Sequence, residues 1–408
     1  MGCSTTNTYV KGLSTDSALS VEEKLTAFGA VPIKLGEPES YYDGKEWLDR
    51  LVELIDESQD YIFLSTFLGS QCDDLRPVYD AMIKATERGV RIYFVLDGLS
   101  SYDMTDSKNY LEPLYFLKAH GVKLIEYAPL SVSRIIAPQA MAIRDHRKLF
   151  VIDGKKAVLG GMNINYVSMG AEDKMKLQKD SMYVFDSYDL CKHLIDEFVV
   201  LWNSASVEKI KLKDFKTYSY TDYENQNMLG FLFNQGPGSK AHVADVYAAL
   251  INSAEKEIVI LPYLPLLDKN MLASLENAVK RGVSVKMVFP LDQRGYSEQG
   301  TKYFFHKLVD IGVECRFISS KQDAMLHEKL VVVDSKYAVI GSSNFNMRSM
   351  NLSHEIVMAI EDEKFVTRLR EHIDDRAKNT IILDKETADR WKKDEGSFLM
   401  FLASYYGG

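Results

Sequence analysis

His146-Arg147-Lys148-Leu149-Phe150-Val151-Ile152-Asp153 and His327-Glu328-Lys329-Leu330-Val331-Val332-Val333-Asp334 are one pattern written twice. Each copy is followed by a small-residue turn and an Asn: Gly160-Gly161-Met162-Asn163 and Gly341-Ser342-Ser343-Asn344. The four residues after each Lys are apolar and partly β-branched, which predicts a short buried strand. Strand side chains alternate, so the His and the Lys share one face at its start. Asp153 and Asp334 end these strands. The next apolar runs, Ala157-Val158-Leu159 and Ala338-Val339-Ile340, predict an antiparallel return that delivers Asn163 or Asn344 to the same end. Each copy therefore offers an imidazole, an ammonium and a carboxamide.

That set suits phosphodiester chemistry. One His can attack phosphorus and form a covalent phosphohistidine. The other can protonate the leaving alcohol and then deprotonate the incoming one. Two Lys and two Asn can hold the non-bridging oxygens as charge grows in the transition state. No metal or other cofactor is expected. A lone His-x-Lys is an ordinary surface pair; two copies with one spacing, matching strands and matching turns are not.

The duplication reaches beyond the motifs. Leu54-Ile55-Asp56-Glu57-Ser58, then Tyr61-Ile62-Phe63-Leu64, parallels Leu250-Ile251-Asn252-Ser253-Ala254, then Ile258-Val259-Ile260-Leu261. Arg88-Gly89-Val90 parallels Arg281-Gly282-Val283, and Gly121-Val122 parallels Gly312-Val313. In each case a Gly ends a helix and a strand follows at once. Strands alternating with helices predict an α/β sandwich in each half.

At these residues the chain resembles the phospholipase D superfamily, whose signature HxKxxxxD followed by GSxN occurs twice. The resemblance extends over about residues 40 to 375. It is similar in particular to bacterial cardiolipin synthases and related phospholipase D-like proteins, on Leu261-Pro262-Tyr263-Leu264-Pro265 and on Gly341-Ser342-Ser343-Asn344 through Ser353-His354-Glu355. The resemblance implies two similar phospholipase D-type α/β sandwich domains about a pseudo-two-fold axis, with both His residues at the seam. It also implies a metal-free phosphohistidine mechanism. Glu355 would orient the imidazole of its half. Its counterpart would be Asp180, in Lys179-Asp180-Ser181, although the stretch from Asn163 to Asp180 is longer than that from Asn344 to Glu355. The extra segment, Ser168 to Gln178, is expected to form a substrate-side loop. The pair of N-terminal transmembrane helices that many cardiolipin synthases carry has no counterpart here.

Composition fits a large catalytic body. The 408 residues are 26% charged and 46% hydrophobic, ordinary for a globular protein. No apolar run approaches the roughly 20 residues of a membrane span. The net charge of -9 argues against general nucleic-acid binding, which leans on Lys/Arg clusters. Cys3, Cys72, Cys191 and Cys315 show no metal-ligand spacing.

The expected organisation is an N-terminal tail over 1–38, a first domain over 39–205, a linker over 206–240, a second domain over 241–385 and an apolar C-terminal tail over 386–408. Met1-Gly2-Cys3-Ser4 resembles a bacterial lipoprotein start, which would make the tail a tether at the cell envelope. It also fits myristoylation of Gly2, which would place the protein on the cytoplasmic face of the membrane. Of two apolar stretches able to touch lipid, Ile135 to Met141 is expected to contact lipid or acyl chains, and Phe398 to Tyr406 to pack on the body as a helix, with lipid contact as its alternative. His120, His193, His242, His306, His354 and His372 are expected to be surface or structural residues, and Arg348 to reach the phosphate or brace Glu355. The expected protein is a monomer that takes a phospholipid, phosphatidylglycerol or similar, at a membrane surface. It would transfer the phosphatidyl group to an alcohol or to water. A phosphodiesterase nuclease of the same superfamily is the competing reading.

Overall fold

The computed structural model describes residues 8–98, 114–129, 143–170, 177–219, 221, 223–236, 239–291, 297–318 and 325–407. The chain forms two compact units, one of residues 33–228 and one of residues 1–32 with 229–408.

The first unit is built on β1 (Glu39–Tyr41), β2 (Tyr61–Thr66), β3 (Arg91–Asp97), β4 (Lys123–Tyr127), β5 (Leu149–Ile152), β6 (Lys156–Gly160) and β7 (Met182–Asp186). Their order across the sheet is β1-β7-β6-β5-β2-β3-β4. β2, β3 and β4 run parallel; β5, β6 and β7 join them antiparallel. All six residues of β2 are buried, because helices cover both faces. On one face Ile62, Leu64, Phe94 and Phe150 pack in one core with Trp47 and Leu51 of helix Gly44–Glu57 and Met82 of helix Arg76–Glu87. On the other, Phe63 stacks on Phe198 of helix Tyr188–Ala205 at 4.3 Å between ring centroids, and Tyr93 meets Trp202 edge-on at 5.1 Å. A strand covered on both sides reads as a continuous apolar run, which is why its alternation is invisible in the sequence.

The second unit repeats this plan with β8 (Met228–Gln235), β9 (Glu257–Leu261), β10 (Ser284–Pro290), β11 (Glu314–Ile318), β12 (Leu330–Val333), β13 (Tyr337–Gly341), β14 (Glu355–Glu361) and a short added edge, β15 (Ile381–Ile382). Among these eight strands the order is β8-β14-β13-β12-β9-β10-β11-β15. Position by position it is the first sheet again, with the same parallel trio, β9-β10-β11. Helices Val243–Ser253 and Lys269–Lys280 cover one face; helix Glu363–Ala377 packs on β12, β13 and β14.

Two stretches differ from their reading in the sequence. The segment 1–38 is built in from Thr8 onward rather than left as a tether. Helices Thr8–Thr15 and Val21–Ala27 pack on helix Val243–Ser253. Leu25 and Phe28 enter the second core, and Lys24 Nζ donates to Ser253 Oγ at 2.9 Å. Residues 206–240 are likewise more than a connector. Phe215 is buried against Phe63 and Tyr93, Tyr223 Oη donates to the Gly154 carbonyl at 2.8 Å, and β8 supplies a full strand of the second sheet. Residues 1–7, which include Gly2 and Cys3, lie outside the described residues.

Candidate active site

Sheet register shows which residues share an end. β5 begins at Leu149, one residue past Lys148, and pairs Leu149 with Leu159 and with Ser65. β6 ends at Gly160, opposite Met182. His146, Lys148, Phe67, Asn163 and Asp180 therefore all flank one end of the first sheet. The second sheet repeats the register: Leu330 lies opposite Leu261 and Gly341 opposite Val357. His327, Lys329, Tyr263, Asn344 and Glu355 fall at the same end of their own unit. Asp180 stands two residues before Met182 as Glu355 stands two before Val357. The two carboxylates thus occupy one position of the repeat, despite the longer segment before Asp180.

Both His residues and both Lys residues are buried. Lys148 Nζ donates to the His146 carbonyl at 2.7 Å. Lys329 Nζ donates to the His327 carbonyl and lies 2.6 Å from His327 Nδ1. An aromatic ring meets each imidazole: Phe67 lies 4.9 Å from His146 and Tyr263 lies 4.3 Å from His327. The same rings receive the ammonium groups, with Lys148 Nζ 5.4 Å from the Phe67 centroid and Lys329 Nζ 5.8 Å from that of Tyr263. The sequence reading did not single out Phe67. Its signal was positional: it lies two residues after Ser65, as Tyr263 lies two after Leu261.

Asn163 Oδ1 accepts from Leu68 N at 3.2 Å. Asn165 and Asn346 cap the short helices that follow, accepting from Ser168 N at 3.1 Å and Ser349 N at 2.8 Å. Glu355 accepts from Ser342 Oγ. Burial and this carboxylate together push the Tyr247 phenol above its ordinary value. In the first unit Gly161 takes the place of Ser342, and a Cβ there would fall 2.2 Å from Asp180 Oδ1. The missing side chain leaves that space to the Asp180 carboxylate.

Asp153 and Asp334 are not at this end. Each sits past the far end of its strand with a positive φ, 54° in both. Asp153 accepts from the backbone N–H of Gln59 at 2.8 Å, Asp60 at 2.8 Å and Tyr61 at 2.9 Å. Asp334 accepts from Glu255 at 2.7 Å, Lys256 at 2.7 Å and Glu257 at 2.9 Å. Each carboxylate ties the start of the neighbouring central strand to the hairpin turn.

The residue between His and Lys points to the opposite face, toward the covering helix. Arg147 pairs with Asp145 at 2.7 Å and with Glu197 at 3.5 Å. Glu328 pairs with His372 at 2.6 Å and Arg376 at 3.3 Å on helix Glu363–Ala377. Burial alone would raise the Glu328 carboxyl, but these partners hold it below its ordinary value. His372, set aside as surface or structural from the sequence, is thus a partner of the His-x-Lys strand. Arg348 donates to the Gly407 carbonyl at 2.7 Å. The apolar loop from Ile135 to Met141, and 171–176 of the expected substrate-side loop, lie outside the described residues. Among the described residues no group of three or more His, Cys, Asp or Glu is placed to hold a metal ion. No helix among them is long and apolar enough to cross a membrane.

Comparison with known proteins agrees with the duplicated frame. The family model described as cardiolipin synthase, PLD-like domain, matches residues 51–202 and 247–376. Cardiolipin synthase 1 of Bacillus anthracis is 25% identical over 352 residues, which is 83% of this chain and 66% of that protein. The cardiolipin synthase of Oceanobacillus iheyensis is 28% identical over 350 residues, 85% of this chain and 70% of its own. The chain therefore spans just under two thirds of the Bacillus relative. The crystal structure of phosphatidylserine synthase from Haemophilus influenzae Rd KW20 superposes with a TM-score of 0.69 at 14% identity, covering 89% of this chain and 91% of that one; this likeness bears on the fold. With its two matching regions and its repeated sheet, the chain belongs to the phospholipase D superfamily, in the family of cardiolipin synthase, PLD-like domains.

Proposed function

We propose that this protein is a phosphatidyltransferase of the cardiolipin synthase type, working through a phosphohistidine. The observation that carries the reading is the repetition of one buried set (His, Lys, Asn and a carboxylate) at one register in both units of a chain from this family. In the proposed reaction His146 attacks the phosphorus of phosphatidylglycerol and His327 protonates the departing glycerol. A second phosphatidylglycerol then gives its hydroxyl proton to His327 and takes the phosphatidyl group, freeing His146. Lys148, Lys329, Asn163 and Asn344 stabilise the non-bridging oxygens. Asp180 and Glu355 orient the imidazoles, while Asp153 and Asp334 brace the strands that carry them.

Water as acceptor would turn the same chemistry into hydrolysis. The test is incubation with phosphatidylglycerol vesicles in excess EDTA, followed by mass spectrometry of the lipids. Cardiolipin with an equivalent of glycerol is expected, at an unchanged rate when EDTA is left out. Phosphatidic acid alone would make the protein a hydrolase. Activity lost in EDTA and restored by a divalent metal would overturn the mechanism. Faster cleavage of oligonucleotides than of any lipid would replace it with the nuclease reading. The membrane association and the monomeric state that accompany this function are part of the same proposal.

A further inference from the structure

We infer that helix Phe398–Gly407 is a docking face that seats its unit on a lipid bilayer by apolar contact alone. The inference rests on the phospholipid reading above. In a chain that is 26% charged, Gly396 through Gly407 contains no Asp, Glu, Lys or Arg. One side of the helix is committed to the protein. Ser404 is fully buried and Phe401 stacks on Phe304 at 5.8 Å. Gly300 lets helix Ser297–Phe304 approach so closely that a Cβ there would fall 2.9 Å from the Met400 carbonyl oxygen and from Ser404 Oγ. That fit fixes the rotation of the helix about its axis. It leaves Phe398, Leu399, Leu402 and Tyr406 facing outward, 53%, 69%, 36% and 56% exposed. Their spacing of three and four residues makes one continuous stripe.

The chemistry of the stripe selects its occupant. Ten residues make a helix of about 15 Å, half the roughly 30 Å of a bilayer's hydrocarbon core, so it can lie in the interface but not span. Aromatic and aliphatic side chains without charge suit the boundary between headgroups and acyl chains. The preceding stretch does not add a positive field: Lys385, Arg390, Lys392 and Lys393 are set against Asp384, Glu386, Asp389, Asp394 and Glu395. The helix also adjoins the candidate site. Its Gly407 carbonyl accepts from Arg348, four residues past Asn344. A bilayer on this face would lie beside the end of the sheet that carries His327.

The test is flotation of the full chain with vesicles of phosphatidylcholine alone and of phosphatidylcholine with phosphatidylglycerol, at low and at high salt. Wild type is expected to bind both, with little effect of salt. Leu399→Asp/Leu402→Asp should weaken vesicle binding at least about tenfold, the loss expected when two apolar contacts are removed. Its turnover of a short-chain phosphatidylglycerol dispersed below its micelle concentration should be unchanged, which shows that the variant is folded. Equal vesicle binding by the variant would overturn the inference. So would binding confined to anionic vesicles and abolished by salt. A wild-type dimer that the variant converts to monomer, with vesicle binding intact, would assign the stripe to a second copy of the chain instead. If the chain turns over no phospholipid yet loses vesicle binding in the variant, the docking face stands and the proposed activity falls.

Discussion

The two units share the backbone devices that hold the His-x-Lys strand and differ in the charges packed behind it. Both tie the strand after His-x-Lys to its neighbour with an Asp that takes three backbone N–H groups. Both cap the following short helix with an Asn. Yet the middle residue is a cation in one, Arg147, and an anion in the other, Glu328, each met by partners of the opposite sign. Two residues before its His the first unit carries a buried ion pair, Arg144 to Asp97 at 3.2 Å. Register puts Met325 and Pro290 there in the second. The frame needs an anchor at these points and not a particular charge. The groups at the candidate site are kept in kind instead: the His, the Lys, the Asn and a carboxylate recur in both units.

The largest effect should come from breaking that conserved set. His146→Ala and His327→Ala are each expected to lower turnover at least about 10⁴-fold, since nucleophile and proton carrier act as a unit. Their equality in rate should conceal a difference in role. With a slow substrate, wild type and His327→Ala should accumulate label on His146, and His146→Ala should carry none. A labelled adduct in His146→Ala would exchange the two roles. Substantial activity in either variant would show that the repeats do not share one reaction.

The anchors should matter to stability. Glu328→Ala leaves His372 and Arg376 facing an emptied site, and Arg147→Ala leaves Asp145 and Glu197 without their cation. Breaking a buried pair from one side typically costs about 3–5 kcal/mol, read as a loss in chemical denaturation. The Glu328 carboxyl is held below its ordinary value by its partners. Its contribution is therefore fully present above the unfolded-state pKa of about 4.3 and is lost as pH falls through the lower folded value. The gap between wild type and Glu328→Gln should be widest near neutral pH and narrow below about pH 4. A gap that stays constant into acid would mean that the carboxylate's charge is not what binds the helix.

Local spacing made the motifs legible. His, Lys, Asp and Asn lie within eighteen residues of one another in each copy, so a strand and its return suffice to place them. Register, which no short window contains, decided the rest. The parallel between the central strands is Ile62 with Ile258, both opposite equivalent residues, Ile152 and Val333. Aligned by hydrophobicity alone the match slips by one, because Tyr61-Ile62-Phe63-Leu64 and its counterpart are apolar throughout. With the slip removed, Phe67 falls on Tyr263. Asp180 shows the opposite case: its distance from Asn163 argued against it, and strand pairing restores it. The packing of residues 8–30 on a helix that begins at Val243 is a contact between segments more than two hundred residues apart, with no repeated motif to announce it.

The smallest effect should separate two solutions at one position of the frame. Gly161 and Ser342 both follow the last residue of the return strand. Ser342 donates to the Glu355 carboxylate and also accepts from Ile356 N at 3.1 Å; Gly161 instead leaves room for the Asp180 carboxylate. Ser342→Ala should cost about 1–3 kcal/mol, the usual loss when a buried group is left without its partner. Gly161→Ala should cost a similar amount, about 1–3 kcal/mol, by overpacking. A double-mutant cycle distinguishes the causes. Asp180→Ala should relieve Gly161→Ala, so that the pair is less destabilised than the sum of its parts. If Gly161→Ala is neutral, or if its cost simply adds to that of Asp180→Ala, the Asp180 carboxylate does not occupy that space and its equivalence to Glu355 fails.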